Sequence, residues 1–309
     1  MTNKVDIVVV TYQSAHVLKD CLASLPRFAN IYVVDNASTD GSAAVASEAG
    51  AEVIRLNENV GYGAACNAGA AAGTSAFLLF LNPDVRLANG AIDKLLAAAA
   101  DYPCAAFNPS FYNEGRRRFR RWSRLFPRGA SWRGPPPIAD CQVPVLHGAC
   151  IFVRRDHFAC VGGFDEHIFL YHEDDDISLR LSCAGVELRT AVEAVVDHAE
   201  GRSSIPSGES SRIRGEAMGR SLVYVMRKHH LALDVQAERR RGWFKLLLPH
   251  VLFNTARRSK LLGFLAGIGG QQQVRIADSA NQGTGECDSA IVGQWNADSG
   301  HTIANCHRP

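Results

Sequence analysis

The chain lacks the short motifs by which many nucleotide-binding and hydrolytic α/β enzymes are known. No GxGxxG follows its first apolar segment, which runs instead into "TYQSAHVL", and this argues against a Rossmann dinucleotide site. The absence of GxxxxGKS/T argues against a P-loop, and the absence of GxSxG against an α/β-hydrolase. None of the nine cysteines forms a CxxC pair, and an odd, scattered set is no disulfide framework. Most of them sit in apolar surroundings such as "HGACIFV", as small core residues, which fits a reducing cytosol. The apolar run in "MTNKVDIVVVTYQS" is only about six residues long and contains Asp6, too little for a signal peptide or a membrane span. The net charge of +2 says little about partners, and its distribution says more. Arginines do crowd into 116–133, with Phe119, Trp122 and Phe126 among them for stacking. That is one loop without a matching fold signature, and nucleic acid is not expected as a partner.

What is present is an alternation. "VDIVVV" (5–10), "IYVVD" (31–35), "AEVIRL" (51–56) and "AFLLFL" (76–81) read as strands. Helical stretches near 15–25, 42–50 and 63–73 separate them. Strands spaced by helices mean βαβ units and a parallel sheet, with ligands beyond the carboxyl ends of the strands. Polar residues gather at that edge: Thr11 and Tyr12 after the first strand, Asp35, Asn36, Ser38 and Asp40 after the second, Asn82, Pro83 and Asp84 after the fourth. Each set alone could be turn chemistry; three on one edge indicate a site. From 101 to 145 the pattern breaks into a basic, Pro-rich stretch that reads as a long loop or mobile flap. Strand character returns in 143–158 and 186–204, and 210–230 is helical.

"FLYHEDDDISLRL" (169–181) places four acids, Glu173 to Asp176, at the start of an apolar helical pattern. Asp174 or Asp175 could cap a helix buried along Ile177, Leu181 and Ala184, with Gly185 to stop it. Capping needs one or two acids, not four. Arg180, four residues after Asp176, is placed to pair with it.

In order along the chain stand "VVVTYQSAHVLKDCLASL", "VVDNASTDGS", "NVGYGAACNAG", "FLLFLNPDV", "HGACIFVRRDHFACVGGFDE" and "FLYHEDDDISLRLSCAG". Together, over residues 4–205, they resemble the inverting family 2 glycosyltransferases, and among them the bacterial rhamnosyltransferase-like group. The resemblance implies a GT-A fold, a mostly parallel central sheet flanked by helices with a C-terminal helical extension. It implies a nucleotide-sugar-binding half at 1–110, an acceptor-binding and catalytic half at 111–206, and a helical segment at 207–268. Residues 269–309, rich in Gln, Gly, Asn and Ser, read as a disordered tail.

The implied activity is transfer of a sugar, L-rhamnose first, from a dTDP- or UDP-linked donor to a hydroxyl of a polysaccharide or lipid-linked glycan. Asp35 would accept from the pyrimidine N3–H, with Thr11, Tyr12, Asn36 and Ser38 around the base and ribose. "NPD" stands where the family usually has DxD, so Asn82 replaces the first acid. Asp84 remains as a ligand for Mg2+ or Mn2+, with His198 either a second ligand or a packed histidine. His147 and Gly148 would line the donor sugar, although a glycine after histidine also suits a simple surface bend. Asp174 would be the general base, oriented by Glu173. A non-catalytic sugar-nucleotide-binding module and a nucleotidyltransferase are the alternatives. Segment 239–268 mixes Arg and Lys with bulky apolar residues, which suits either an interfacial helix on anionic lipid or a helix pair packed on the domain. The expected location is cytoplasmic, with peripheral contact at the inner face of the membrane.

Overall fold

The first strand, β1 (Val5–Thr11), is buried along its whole length, which is why its sequence is a continuous apolar run. The structure is a computed structural model, and it describes residues 5–126, 130–199 and 207–270. One charge interrupts the run. Asp6 is fully buried, and its carboxylate accepts from Arg155, from Asn30 and from the amide and hydroxyl of Ser75. Burial alone would raise its pKa; these bonds outweigh that and hold it below the usual carboxylate value.

Then follow α1 (Ala15–Ala23), β2 (Asn30–Asp35), α2 (Ser42–Glu48), β3 (Glu52–Arg55), α3 (Tyr62–Ala72) and β4 (Phe77–Leu81), as the alternation predicts. After them come β5 (Val85–Leu87), α4 (Ala91–Asp101), β6 (Ala105–Asn113), β7 (Arg116–Arg118), β8 (Cys141–Gln142), β9 (Cys150–Arg154), α5 (Arg155–Cys160), α6 (Glu173–Cys183) and β10 (Glu187–His198). The sheet order is β3-β2-β1-β4-β9-β6-β10-β5, with β7 on β6 and β8 on β10. Its first four strands are parallel, while β9 runs antiparallel to both β4 and β6. The sheet is therefore mixed, and its switch in direction falls beside β4.

The expected loop at 101–145 is right in part, since the described residues between 119 and 140 hold no strand or α-helix, but it begins too early. Its first part is β6, whose residues 105–111 are all buried, and Glu114 and Gly115, both at positive φ (50° and 73°), turn it into β7. Two consecutive positive-φ residues are the signature of a tight hairpin. Beyond it Leu125, Phe126, Ala130 and Trp132 are buried and anchor the stretch, while Arg116, Arg118, Arg121, Trp122 and Arg124 remain exposed.

Two compact units are distinguished, residues 5–165 with 174–199, and residues 166–173 with 207–270. The second unit holds α7 (Gly208–Lys228), α8 (Val235–Leu246), α9 (Pro249–Leu252) and α10 (Thr255–Gly269). Gly215 and Gly219 of α7 face Gly263 and Gly267 of α10, and a Cβ at any of these would run into the opposite backbone. Only glycine allows this approach, so α10 packs closely on α7 within the unit. Val223, Leu265 and Ile268 form the unit's small core. Of the tail expected at 269–309, Gly269 ends α10 and Gly270 caps it, and residues 271–309 lie outside the described residues. Among the described cysteines, 21, 66, 104, 141, 150 and 160 are free thiols.

Candidate active site

The carboxyl edge of the parallel strands supplies one part of the site. Thr11 ends β1 opposite Asp35, which ends β2, and Val9 lies opposite Leu81 just before the Asn82-Pro83-Asp84 turn. Asp35 is buried and accepts the Ser38 N–H at 3.1 Å, while the Ser38 hydroxyl accepts the Gln13 N–H at 3.1 Å. These bonds join the turns after β1 and β2 and hold Gln13 and Ala37 at positive φ. Thr11 Oγ1 is buried without a hydrogen-bond partner among the described residues. Tyr12 is exposed. Asn36 differs from its neighbours. Its amide donates to Asn59 and to the Gly61 carbonyl, and its oxygen accepts from Val60, so its polar atoms hold the loop at 59–61.

Antiparallel pairing brings in the rest. Leu81 lies opposite Cys150, and the Asn82 N–H donates to the Ala149 carbonyl at 2.9 Å, which sets His147 and Gly148 beside the "NPD" turn. Val85 lies opposite His198, and this brings the buried His198 Nε2 to 3.5 Å from Asp84 Oδ1. The rings of His147 and His198 meet edge to face at 5.6 Å, with Phe111 against both.

The His147 loop is fixed by groups that no motif announced. Asn108, in mid-β6, accepts the His147 N–H at 2.6 Å and donates to the carbonyls of His147 and Cys150. The Tyr62 hydroxyl donates to the Gly148 carbonyl. His147 Nδ1 accepts the Ala149 N–H at 3.1 Å, so the neutral ring carries its proton on Nε2. Burial pushes its pKa down to about 4; His198 and Arg120 act in the same direction, and Asp174 and Asp84 oppose them.

The acids of "HEDDD" occupy the first turn of α6, because the helix begins at Glu173. No one of them precedes it as a cap, which corrects the capping expectation. Tyr171 and His172, both at positive φ, turn the chain into the helix, and Gly185 (φ 79°) closes it. Glu173 and Asp175 are buried, and Asp176, wholly buried, pairs with Arg180 at 2.8 Å as its spacing predicted. Asp174 Oδ2 accepts the Gly148 N–H at 2.9 Å and an Arg120 Nη1–H at 2.6 Å, and its Oδ1 accepts the Asp175 N–H at 2.9 Å. Arg120 also donates to Asp175 and to the Leu146 carbonyl. Gly148 sits in a turn that is buried rather than on the surface, and a Cβ there would press on Asp174 at 3.1 Å. Arg120 is the residue that sequence reasoning left inside an undifferentiated arginine loop. Its position at the exit of the β6–β7 hairpin was readable only once that hairpin was.

A carboxylate accepts about four hydrogen bonds. Asp174 has three, and the remaining lone pair on Oδ1 is where a proton could be received. Asp84 and His198 form a hard oxygen donor beside an imidazole, a pair that suits a small divalent cation. Among the described residues no cluster of three or more His, Cys, Asp or Glu side chains could hold a metal. The pair therefore fits a cation only if a substrate completes the coordination.

A mixed sheet of this order, with a carboxylate turn at its switch point and an acid-rich helix facing it, is the arrangement of a GT-A glycosyltransferase. Residues 6–162 match the family described as Glycosyl transferase family 2, and the chain belongs to that family. It is a glycosyltransferase. The chain is 31% identical, over 85% of its own length and 94% of the relative's, to the N-acetylglucosaminyl-diphospho-decaprenol L-rhamnosyltransferase of Mycobacterium tuberculosis. Among solved structures it resembles the mannosyltransferase PcManGT of Pyrobaculum calidifontis in complex with GDP-Man and Mn2+, with a TM-score of 0.55 at 16% identity over 87% of this chain and 88% of that one. TarS 1-349 of S. aureus in complex with UDP gives a TM-score of 0.51 at 14% identity over 89% and 93%. At these identities the structural likeness concerns the fold.

Proposed function

We propose that this glycosyltransferase moves L-rhamnose from a dTDP- or UDP-linked donor to a hydroxyl of a lipid-linked glycan, inverting the anomeric carbon. The observation that carries the choice of substrates is the similarity, over 85% of the chain, to a rhamnosyltransferase whose name specifies a diphospholipid-linked N-acetylglucosamine. The donor nucleotide is held by the first half of the domain, with Asp35 on the base, Thr11 Oγ1 and Ser38 near the ribose, and Tyr12 covering it. Asn36 serves this site through the loop at 59–61, and Asn82 through the turn that presents Asp84. His147 offers its Nε2–H, and the Gly148 segment shapes the sugar pocket.

Asp174 acts as general base. Arg120 and the Gly148 amide fix its Oδ2, and Oδ1 takes the proton of the acceptor hydroxyl. The acceptor oxygen bonds to the anomeric carbon as the bond to the diphosphate breaks, and the nucleoside diphosphate leaves with the electron pair. Glu173, the preceding residue of the same helical turn, orients the acceptor. Asp84 and His198 would hold Mg2+ or Mn2+, which supplies charge neutralisation for the departing diphosphate. A lipid-linked acceptor places the reaction at the inner face of a membrane, with the enzyme in peripheral contact.

A donor screen following nucleoside diphosphate release tests the reading, with Mg2+ or Mn2+ and a lipid-diphosphate N-acetylglucosamine acceptor. Release is expected with a rhamnose donor, and is abolished by EDTA and by Asp84→Ala. Full turnover in EDTA would remove the metal role, and turnover with other sugars alone would remove rhamnose.

A further inference from the structure

The segment 239–268 offered two readings, a membrane-facing helix or a helix pair packed on the domain, and its two halves differ in what covers them. Its later half is accounted for by packing, through the glycine face of α10 against α7. The end of α8, the link to α9 and α9 itself are different. Trp243, Phe244, Leu247, Leu248, Leu252 and Phe253 are all exposed, from 43% to 85% of their surface, within eleven residues. In this stretch only Gly242, beside Leu265, and Val251 turn fully inward. Scattered exposed apolar residues need no explanation, but six large ones within eleven residues do.

Their charge surroundings say what would cover them. From Arg239 to Gly270 the chain carries seven Lys and Arg residues and no Asp or Glu, in a protein whose net charge is only +2. Arg240, Lys245, Arg257 and Arg258 are exposed. A folded protein partner would need a matching acidic and apolar face. An anionic lipid surface supplies both at once, with phosphate for the cations and acyl chain for the aromatics. No helix among the described residues is long and apolar enough to cross a membrane, so the contact would lie on the surface.

We infer that residues 243–253, flanked by these cations, form the surface on which the enzyme docks onto anionic membrane lipid. The inference rests on the reading of a lipid-linked acceptor only for its purpose, since the face is defined by its own residues.

The experiment is cosedimentation of the full chain, without donor or acceptor, with vesicles of equal parts phosphatidylcholine and phosphatidylglycerol, and with vesicles of phosphatidylcholine alone. Binding to the anionic vesicles and its loss in high salt are expected. Phe244→Ser with Phe253→Ser should weaken binding by about tenfold or more. Arg257→Gln with Arg258→Gln should weaken it by a similar factor at low salt. All four side chains are exposed, and circular dichroism checks that both variants remain folded. Wild-type protein left in the supernatant at low salt overturns the inference. So does unchanged binding by the Phe pair, which would put the contact elsewhere. A dimer in sedimentation velocity that the same substitutions abolish would assign the face to a second copy of the chain, and also overturns it. Vesicle binding without transfer from any rhamnose donor would refute the substrate reading instead and leave the docking face standing.

Discussion

Asp174→Asn separates a catalytic carboxylate from a structural one, and the structure sets its cost. Asparagine keeps one acceptor oxygen, which can still take the Gly148 amide and Arg120. Its NH2 must then face the Asp175 N–H that Asp174 Oδ1 now accepts, so one hydrogen bond worth about 1 kcal/mol is lost. Arg120 retains Asp175 and the Leu146 carbonyl, and no guanidinium is stranded. Stability should fall by about 1–2 kcal/mol, a change that leaves the protein folded at 25 °C. Loss of a general base removes about 10²–10⁴ in rate, or about 3–5 kcal/mol of barrier. Nucleoside diphosphate release should therefore collapse while donor affinity, measured by titration, stays within about twofold. A near-normal rate would refute the role of Asp174, and with an inactive Glu173→Gln it would move the base one residue earlier. Asp176→Asn, which looks like a mild control in the sequence, is not one. Asp176 is wholly buried against Arg180, and the substitution should cost about 1–3 kcal/mol. Asp101→Asn, on an exposed helix end, is the silent comparison.

Arg120→Met should leave the Asp174 and Asp175 carboxylates without their shared cation, lowering kcat by about tenfold or more with little change in donor affinity, and Arg120→Lys should recover part of it; equal rates for Met and wild type would contradict the arrangement. His147 carries a pH prediction. Its folded pKa is about 4 against an ordinary 6.5, so between those values the unfolded chain binds a proton that the folded chain refuses. The stability this confers is complete above 6.5 and lost as pH falls towards 4, by up to about 3 kcal/mol. His157, also lowered chiefly by burial, adds in the same window, so the test is the difference in denaturation midpoint between wild type and His147→Asn, which should shrink below pH 6. Gly148→Ala should lower turnover more than stability, because the added methyl presses on Asp174; kcat unchanged at unchanged stability would contradict it.

The parallel half of the fold was legible because β1, β2 and β4 are largely buried on both faces and read as apolar runs, while the more exposed edge strand β3 was marked by its place between helices of ordinary length. The pairing of Asp176 with Arg180 was legible for a similar reason, since a fixed helical spacing decides it. β6 was not. "AAFNPSFYN" holds Asn108, Pro109 and Ser110 where a strand reader expects apolar residues, and their reasons lie elsewhere in the chain: Asn108 binds the His147 loop, and Ser110 donates to the Val192 carbonyl. With β6 missed, the β7 hairpin was missed, and with it the position from which Arg120 reaches "HEDDD". The convergence of Asp84 with His198 depends on an antiparallel register between β5 and β10 that no local pattern encodes. Asn36 resembled a ligand-binding residue because its type and place suit one, whereas its bonds go to the chain.

The most direct measurement on the reaction itself is the anomeric configuration of the transferred sugar, read by NMR in the product of wild-type enzyme, a rhamnose nucleotide and a lipid-diphosphate acceptor. One carboxylate removing a proton while the acceptor attacks gives a single displacement, so the product should carry the configuration opposite to the donor's. A product with the donor's own configuration would require two displacements or front-side attack, and would contradict Asp174 as the base of a one-step transfer.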